Sequence, residues 1–542
     1  MTNISMETAH AVAAQLSRHC REVVICPGSR NSPLSVALLA RRDIRVHTRL
    51  DERTAAFLAL GLARVSGRHV AVVMTSGTAV ANALPAMIEA AHSHVPLAVI
   101  SADRPRRLQG TGASQTIEQQ GLFHTVAQTV QVDTPADVPA MAERFTHDLQ
   151  VHINVSLDNP LLEEQLPAPA TDSTARLAPA PRRVNHGEVS VDLTRNTLVI
   201  AGDEAWPVEG LEDVPTIAEP TAPAPYHPVH PAAAHFFRKD QVSANDYVVN
   251  TRVEQVIIVG HPTLHRGVLA LINDPDVDLI TLSRTKDVTN PRGDQARVGT
   301  TVTTTGQPTR DWMKLTEAAA RMASDAVREA LENEDHGFTG LHVAAAVADT
   351  LGVGDACFIG ASNPIRDMAL VGLPFDGVDT YSPRGAAGID GTVAQAVGVA
   401  LATQTREADA LRAPRTIALV GDVSFLHDAT GLLIGPGEAH PENLTIVVAN
   451  DDGCGIFELL ETGAEGLRAN FDKAFGTPHG ADLEQLVGAF GHDYRRADSL
   501  PELLETLGEL AETAAGITVV EARTTRATRR ALAADIASKA GR

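Results

Sequence analysis

The sequence predicts an α/β protein made of three domains, each built around a parallel β-sheet. Its 542 residues exceed what one hydrophobic core usually organises, so about three domains are expected. Apolar runs with the length of strands alternate with helical patterns, which is typical of βαβ units and parallel sheets. Three segments separate by composition, which predicts an N-terminal domain at residues 1–180, a central domain at 185–335 and a C-terminal domain at 340–542.

The first segment carries three strand-to-helix signals. The stretches REVVICPGSR, HVAVVMTSGTA and VPLAVISADRP each run from apolar residues into small or polar ones. The pattern then gives way to proline and alanine at residues 167–183, which is typical of a linker. This predicts a first domain that ends near residue 180.

Strand signals return on both sides of a charged helical stretch. In the central segment they are NTLVIAG, VEQVIIVG and VDLITLSR, with a proline-rich interruption at residues 219–231 that we interpret as a loop. A helix is predicted near residues 311–334. The third segment contributes DACFIG, RTIALVG, NLTIVVA and GITVVEAR. Its rhythm is the most similar to that of the first segment.

The composition limits the partners of the protein. A formal net charge of −22 and a pI of about 5.4 argue against general nucleic-acid or anionic-membrane binding. A local arginine cluster would still allow an anionic small substrate. The four cysteines show no CxxC spacing and suit a reducing cytosol. The N-terminus predicts a short amphipathic helix rather than a signal peptide, and the apolar windows are interrupted, so we expect a cytoplasmic protein without membrane spans.

Two aspartates follow predicted strands in the third segment. Asp422 comes directly after RTIALVG, and Asp451 follows NLTIVVAN, 29 positions further on. Taken singly, each acid is more often a helix N-cap or a solvated loop residue. Ligands of parallel sheets bind beyond the carboxyl ends of the strands, however, so the pair is expected to share one crevice. Two carboxylates and a carbonyl from a glycine turn suit Mg²⁺.

The stretch GDVSFLHDATGLL, followed by VVANDDG, resembles the diphosphate-binding motif of thiamine-diphosphate enzymes. The resemblance implies a thiamine-diphosphate-binding fold, with a pyrimidine-binding first domain and a diphosphate-binding third domain. It also implies Mg²⁺ or Mn²⁺ held by Asp422, Asp451 and the carbonyl of Gly453. The family usually has asparagine in place of Asp451, so the aspartate is expected to alter metal preference. The implied cofactor contacts are Glu52, Ser362, Ile389, Gly421, Asp422, Val423, Ser424, Asp451 and Ile456.

The stretch RLDERTAAFLALGLA supplies the glutamate that this resemblance implies. Glu52 opens a helix with apolar periodicity, where the helix dipole alone also favours an acid. In the family, this carboxyl hydrogen-bonds N1′ of the aminopyrimidine, and the carbanion chemistry belongs to the cofactor. Family members place the glutamate of one subunit against the diphosphate domain of another. This implies a homodimer at minimum and usually a homotetramer.

Further blocks narrow the resemblance to one branch of the family. CPGSRNSPLSVAL, SADRPRRLQGTGASQTIEQ and SPRGAAGIDGT resemble the transferases of menaquinone biosynthesis that decarboxylate 2-oxoglutarate and add the succinyl carbanion equivalent to isochorismate. Both substrates are carboxylates, which guanidinium groups bind bidentately. The resemblance implies catalytic roles for Arg30, Glu52, Gln115 and Arg384. The implied substrate contacts are Ser29, Arg30, Arg104, Gln115, Arg266, Arg366, Arg384, Ile456, Phe457 and Leu460.

Other functions stay open at this point. The nearest is a different thiamine-diphosphate-dependent 2-oxoacid decarboxylase or carboligase, similar to acetolactate synthase; the SRNSP and RGAAGID blocks argue against it. A regulatory subunit without activity would be expected to lack Glu52 or the metal acids, and both are present. A dinucleotide-dependent oxidoreductase would carry G-x-G-x-x-G after a strand, which this sequence lacks. The chain departs from the resembled branch at Ser114 and His265, where asparagine and lysine are usual.

Overall fold

Six parallel strands form the sheet of the first domain. The computed structural model describes residues 3–163, 167–171, 183–239, 241–244, 247–372, 374–406 and 413–541. The strands are β1 (Glu22–Ile25), β2 (Arg45–Thr48), β3 (Val70–Met74), β4 (Leu97–Asp103), β5 (Thr129–Val132) and β6 (Gln150–Ser156). The helices are α1 (Ile4–Leu16), α2 (Ser32–Leu39), α3 (Glu52–Ser66), α4 (Thr78–Asn82), α5 (Leu84–His92) and α6 (Val138–His147). The spatial order of the strands is β2-β1-β3-β4-β6-β5.

The central domain has a five-stranded parallel sheet with two smaller pairs of strands. Its strands are β7 (Glu188–Asp192), β8 (Thr197–Ala201), β9 (Thr216–Ala218), β10 (Gln241–Ala244), β11 (Tyr247–Asn250), β12 (Gln255–Val259), β13 (Asp278–Leu282), β14 (Arg297–Gly299) and β15 (Thr301–Thr305). The main sheet has the order β14-β13-β12-β8-β9, β15 pairs with β7 in parallel, and β10 with β11 forms an antiparallel pair. The helices are α7 (Arg266–Ile272) and α8 (Arg310–Leu331), which confirms the helix predicted near residues 311–334.

The third domain repeats the topology of the first. Its strands are β16 (Ala356–Ile359), β17 (Asp379–Tyr381), β18 (Thr416–Gly421), β19 (Asn443–Asn450), β20 (Asp493–Ala497) and β21 (Gly516–Arg523), in the order β17-β16-β18-β19-β21-β20. The helices are α9 (Gly340–Thr350), α10 (Asn363–Leu370), α11 (Thr392–Arg406), α12 (Asp422–His427), α13 (Leu483–Ala489), α14 (Leu500–Thr513) and α15 (Arg529–Lys539). Counted from its own first strand, this order is the same as in the first domain.

The parallel-sheet α/β fold predicted from the sequence is therefore confirmed. Each strand predicted from an apolar run is present, and inner strands such as β3, β4 and β6 are buried along their whole length because helices cover both faces. The domain boundaries themselves stay a prediction, since most of the expected linker at residues 167–183 lies outside the described residues. Within the described ranges, none of the helices is both long and apolar enough to cross a bilayer.

The first and third domains are joined by the packing of α3 against α11. Glycines allow the two helices to approach closely: a Cβ on Gly61 would lie 2.4 Å from the carbonyl oxygen of Gln395, and a Cβ on Gly398 would lie 2.5 Å from that of Leu58. The largest hydrophobic cluster contains buried side chains from both helices and both sheets. The two domains thus share one core.

A buried carboxylate lies at the edge of this contact. Asp428 is fully buried, and its Oδ2 accepts a hydrogen bond of 2.7 Å from the backbone N–H of Ala394 in α11. On the side of α3, the Thr54 hydroxyl lies 3.5 Å and the Arg53 guanidinium 3.9 Å from Oδ1. Burial raises the pKa of Asp428 to about 7 because the charged form is poorly solvated there.

Asp428→Asn should therefore change how stability depends on pH. Between the pKa of an exposed aspartate, about 4, and the folded-state value of about 7, the folded chain holds a proton that the unfolded chain releases. The contribution of Asp428 to stability is then greatest at low pH and falls as pH rises through this window. Asparagine keeps an oxygen for Ala394 but cannot ionise. We expect the variant to melt at a higher temperature than the wild type above pH 7, with a smaller difference at pH 5.

Melting temperatures measured from pH 5 to pH 8 check this expectation. Asp349→Asn, at an exposed position of α9, is the matched control. A difference between Asp428→Asn and the wild type that stays constant across this range would contradict the assignment.

Candidate active site

Asp422 and Asp451 meet at the carboxyl ends of two neighbouring strands. β18 and β19 pair in parallel, with Gly421 beside Ala449, so the residues that follow them share one edge of the sheet. Asp422 opens α12 and is buried; the backbone N–H of Val423 donates to its Oδ1 at 2.8 Å, and that of Gly453 to its Oδ2 at 2.8 Å. The pairing of the two acids predicted from the sequence is thus present.

Asp451 is a partly buried carboxylate beside a second acid. Burial, and then the neighbouring charge of Asp422, raise its pKa to about 7. Its Oδ1 is buried and has no hydrogen-bond partner among the described residues. The chain packs tightly here, since a Cβ on Gly455 would lie 1.9 Å from Oδ2. An orphan carboxylate oxygen beside a second carboxylate fits a hard divalent cation.

A cavity of about 250 Å³ opens beside this acidic pair. It is lined by Gly453, assigned to the metal, and by most of the residues that the family resemblance assigned to the cofactor: Ser362, Ile389, Gly421, Asp422, Val423, Ser424, Asp451 and Ile456. Phe457, assigned to the substrate, lines it as well. Ser362 has a φ of 75°, which is strained for a residue other than glycine and turns the chain into α10 at the cavity wall.

A second cluster lies at the carboxyl ends of the strands of the first domain. Arg104 follows β4, and its Nη1 donates to the Ser76 hydroxyl at 2.9 Å. The Gln115 side-chain amide donates to the Ser76 carbonyl at 2.9 Å, and the Ser76 hydroxyl also lies 2.8 Å from the Gln115 carbonyl. Arg30 donates to the carbonyl of Leu157, and burial together with the charge of Arg104 lowers the pKa of its guanidinium. Arg30, Arg104 and Gln115 therefore lie close together in the fold.

A third cluster lies where the central and third domains meet. Arg384 is buried and donates to the hydroxyl of Thr263, while Arg366 donates to the carbonyl of Ser362. Burial, and then the charge of Arg384, lower the pKa of Arg366. Glu219 accepts hydrogen bonds from the backbone N–H groups of Thr263 and Leu264 at 2.6 and 2.7 Å, and burial raises its pKa to about 7.

The comparisons with known proteins agree with this arrangement. Residues 6–122 match the family model "Thiamine pyrophosphate enzyme, N-terminal TPP binding domain", and residues 375–522 match "Thiamine pyrophosphate enzyme, C-terminal TPP binding domain". The 2-succinyl-5-enolpyruvyl-6-hydroxy-3-cyclohexene-1-carboxylate (SEPHCHC) synthase of Corynebacterium glutamicum (strain R) is 59% identical over 530 aligned positions, which cover 97% of each chain. The chain belongs to the SEPHCHC synthase family.

More distant members show the same extent of similarity. The SEPHCHC synthase of Corynebacterium diphtheriae is 57% identical over 526 aligned positions, 97% of this chain and 98% of the relative. That of Mycobacterium avium (strain 104) is 42% identical over 565 aligned positions, 98% of this chain and 99% of the relative. Similarity to SEPHCHC synthases thus extends through the central domain, which neither thiamine pyrophosphate model covers.

Some residues assigned from the sequence lie apart from the cavity in this SEPHCHC synthase family member. None of the described residues that line it comes from the first domain, so Glu52 lies outside it. Arg266 forms an exposed ion pair with Glu461 at 3.1 Å. Leu460 follows the 3-10 turn Gly455–Leu459 without lining the cavity, and the Ser29 carbonyl accepts a hydrogen bond from the Ser32 hydroxyl.

The structure also adds residues that sequence reasoning missed. His479 places its Nε2 3.0 Å from Oδ2 of Asp422, a hydrogen bond that raises the pKa of the imidazole. Arg529 and Asp367 form a buried ion pair in the cavity wall. Sequence reasoning missed these two contacts because the partners of each lie dozens of residues or more apart along the chain. The signal that could have pointed to them is the resemblance of neighbouring blocks to the family.

A larger cavity of about 910 Å³ lies between the first and central domains, but its described lining includes none of the predicted site residues.

Proposed function

We propose that this chain decarboxylates 2-oxoglutarate and joins the remaining succinyl unit to isochorismate by 1,4-addition, with release of CO₂. The proposal rests on membership of the SEPHCHC synthase family. The observation that carries it is the acidic pair Asp422 and Asp451, which lies beside a cavity whose walls match the expected cofactor contacts. The arginine clusters supply the complementary charge that two carboxylate substrates need.

The residues around the cavity would hold thiamine diphosphate together with Mg²⁺ or Mn²⁺. Asp422, Asp451 and the carbonyl of Gly453 would bind the cation, and the orphan oxygen of Asp451 supports this role. Ile389 would support the cofactor rings from the cavity wall. When bound, the cofactor supplies a nucleophilic carbon and stabilises the negative charge that decarboxylation leaves behind. The protein's part is to bind, orient and exclude water.

The arginines would recognise the substrate carboxylates. Arg366 and Arg384 are coupled like charges, as are Arg30 and Arg104, and burial disfavours the charged form of Arg30 and Arg366. A bound carboxylate would offset the repulsion between the paired guanidinium groups. Relief of this repulsion would favour substrate binding. The side chain of Gln115, fixed by the Ser76 carbonyl, would orient the substrate beside Arg104.

We further propose that two subunits are needed for each site, in at least a homodimer and in a homotetramer as the family resemblance implies. In one chain, the start of α3 contacts residues 427–430 through Arg53 and Thr54, and the Asp422 cavity is lined without Glu52. The first domain of another subunit would supply that carboxyl. We also propose a cytoplasmic location, which the four free cysteines support.

Metal-dependent cofactor binding should depend on Asp422. We expect Asp422→Ala to weaken thiamine-diphosphate binding in the presence of Mg²⁺ by on the order of 100-fold, because a charged ligand is lost. Asp451→Asn, which keeps an oxygen ligand, should retain binding with an altered preference between Mg²⁺ and Mn²⁺. Calorimetric titration with each metal, and with EDTA, measures both. Unchanged affinity in Asp422→Ala would refute the metal assignment.

Isochorismate consumption should require both substrates and Glu52. We would follow loss of isochorismate absorbance with thiamine diphosphate, Mg²⁺ and 2-oxoglutarate, omitting 2-oxoglutarate as the control. Glu52→Gln should lower the rate by about 10²- to 10⁴-fold, the range for loss of a proton-transfer group. Glu143→Gln, at an exposed position of α6, is the matched control. Loss of CO₂ from 2-oxoglutarate while isochorismate persists would show that the acceptor is wrong.

Mixed dimers test whether two subunits share a site. Co-expression of Glu52→Gln with Asp422→Ala subunits gives mixed dimers in which one of two sites has both residues intact. We expect about a quarter of wild-type activity at equal amounts, because about half of the dimers are mixed. Each variant alone should be nearly inactive. A co-expressed sample no more active than the separate variants would contradict a shared site.

A further inference from the structure

The turn that follows Arg384 carries two residues of the proposed site. Arg384 itself is buried and contacts Thr263, and Ile389 lines the cavity beside Asp422. Between them, Ala387 adopts a φ of +54°, a left-handed conformation that costs energy for a residue with a side chain. Such a conformation persists only where the surroundings fix it. The contacts of residues 385–387 therefore decide where the two site residues lie.

One carboxylate of the first domain accepts hydrogen bonds from this turn. Glu89, in α5, accepts hydrogen bonds from three consecutive backbone N–H groups: Gly385 at 2.9 Å, Ala386 at 2.7 Å and Ala387 at 3.2 Å. Consecutive N–H groups that converge in this way form a concave anion-binding turn. Glu89 itself is 3% exposed, while the turn lies nearer the surface, with Ala386 and Ala387 exposed. Three consecutive backbone donors thus bond to one side chain.

The turn packs so closely against α5 that no side chain would fit at Gly385. A Cβ on Gly385 would lie 2.6 Å from the carbonyl oxygen of Glu89 and 2.7 Å from the backbone nitrogen of Ser93. Behind Glu89, the Arg64 guanidinium of α3 lies 3.3 Å from Oε1 and donates to the Ser93 hydroxyl at 3.1 Å. The charge of Glu89 is therefore balanced on the side away from the turn.

We propose that Glu89 is a positioning residue for the reaction: it sets the turn at 385–387 and thereby the placement of Arg384 and Ile389. It does so without touching the substrate or the reacting atoms. The inference rests on the proposed function, since it assigns Arg384 to a substrate carboxylate. The side chain of Arg384 is held separately by the central domain, through Thr263, so Glu89 fixes the backbone and Thr263 the guanidinium.

Glu89→Gln tests this role. The amide keeps one acceptor oxygen but turns its N–H₂ toward N–H donors of the turn, so the turn should shift. We expect kcat/KM of the coupled reaction to fall on the order of 10- to 100-fold, as misplacement of a binding group does, with a rise in substrate KM. Ser93→Ala is the matched control: it removes bonds to Arg64 and to the Glu89 carbonyl and leaves the turn's bonds intact. It should stay within about twofold of the wild type.

A double-mutant cycle separates positioning from simple loss of stability. In an Arg384→Lys background, which keeps the charge but loses the planar fork, adding Glu89→Gln should cost less than about threefold. A residue that only stabilises the fold would lower activity by the same factor in both backgrounds. Equal factors, or a loss that follows the fraction of folded protein, would overturn the inference.

Hydrogen–deuterium exchange gives a readout that is independent of activity. Glu89→Gln should accelerate exchange of the amides of residues 385–387, and Gly385→Ala, which pushes the turn away from α5, should do the same. Ser93→Ala should leave them protected. Unchanged protection in Glu89→Gln would overturn the inference, while a wild-type enzyme that does not consume isochorismate would instead refute the proposed function.

Discussion

The parallel pairing of β18 with β19 is the constraint on which the rest of the candidate site depends. Because the two strands run in the same direction, their carboxyl ends meet at one edge and bring Asp422 next to Asp451. Burial, and then the neighbouring charge of Asp422, raise the pKa of Asp451 to about 7. Backbone N–H groups stabilise the charge on Asp422, while an oxygen of Asp451 stays without a partner among the described residues. A divalent cation bound there would offset the repulsion between the two acids.

The arginine clusters place like charges close together, as the acidic pair does, but with the opposite sign. The chain has a formal charge of −22, so an anionic substrate meets a repulsive field at most of the surface. Guanidinium groups gather in two places only partly open to water: at the strand ends of the first domain and at the junction of the central and third domains. The half-buried Arg366 beside Arg384 is disfavoured in its charged form, as Asp451 is beside Asp422. Both ends of the proposed site thus favour binding of the opposite charge.

The sequence predicts the sheets and the acidic pair because both are local signals. An apolar run that ends in Gly-Asp is visible within a few residues, and parallel strands bring such ends together. Glu89 has no such signal, since it reads as an ordinary acid on a helix and its partners lie 296 to 298 residues away. His479 is similar: it follows a loop without periodicity and reaches Asp422 only in the fold. Arg266 shows the converse, because the family resemblance places it in the site while in the single chain it pairs with Glu461 at the surface.

The contacts of Arg384 give a physical reason for a central domain in an enzyme whose cofactor motifs lie in the other two. The backbone after Arg384 is fixed by Glu89 of the first domain, and its guanidinium by Thr263 of the central domain, whose own N–H is held by Glu219. Neither contact alone fixes a side chain with as many rotatable bonds as arginine. Together they hold a buried cation in one position before a substrate arrives, which lowers the ordering cost at binding. The three domains therefore act on one side chain, and the relative placement of the domains becomes part of the site itself.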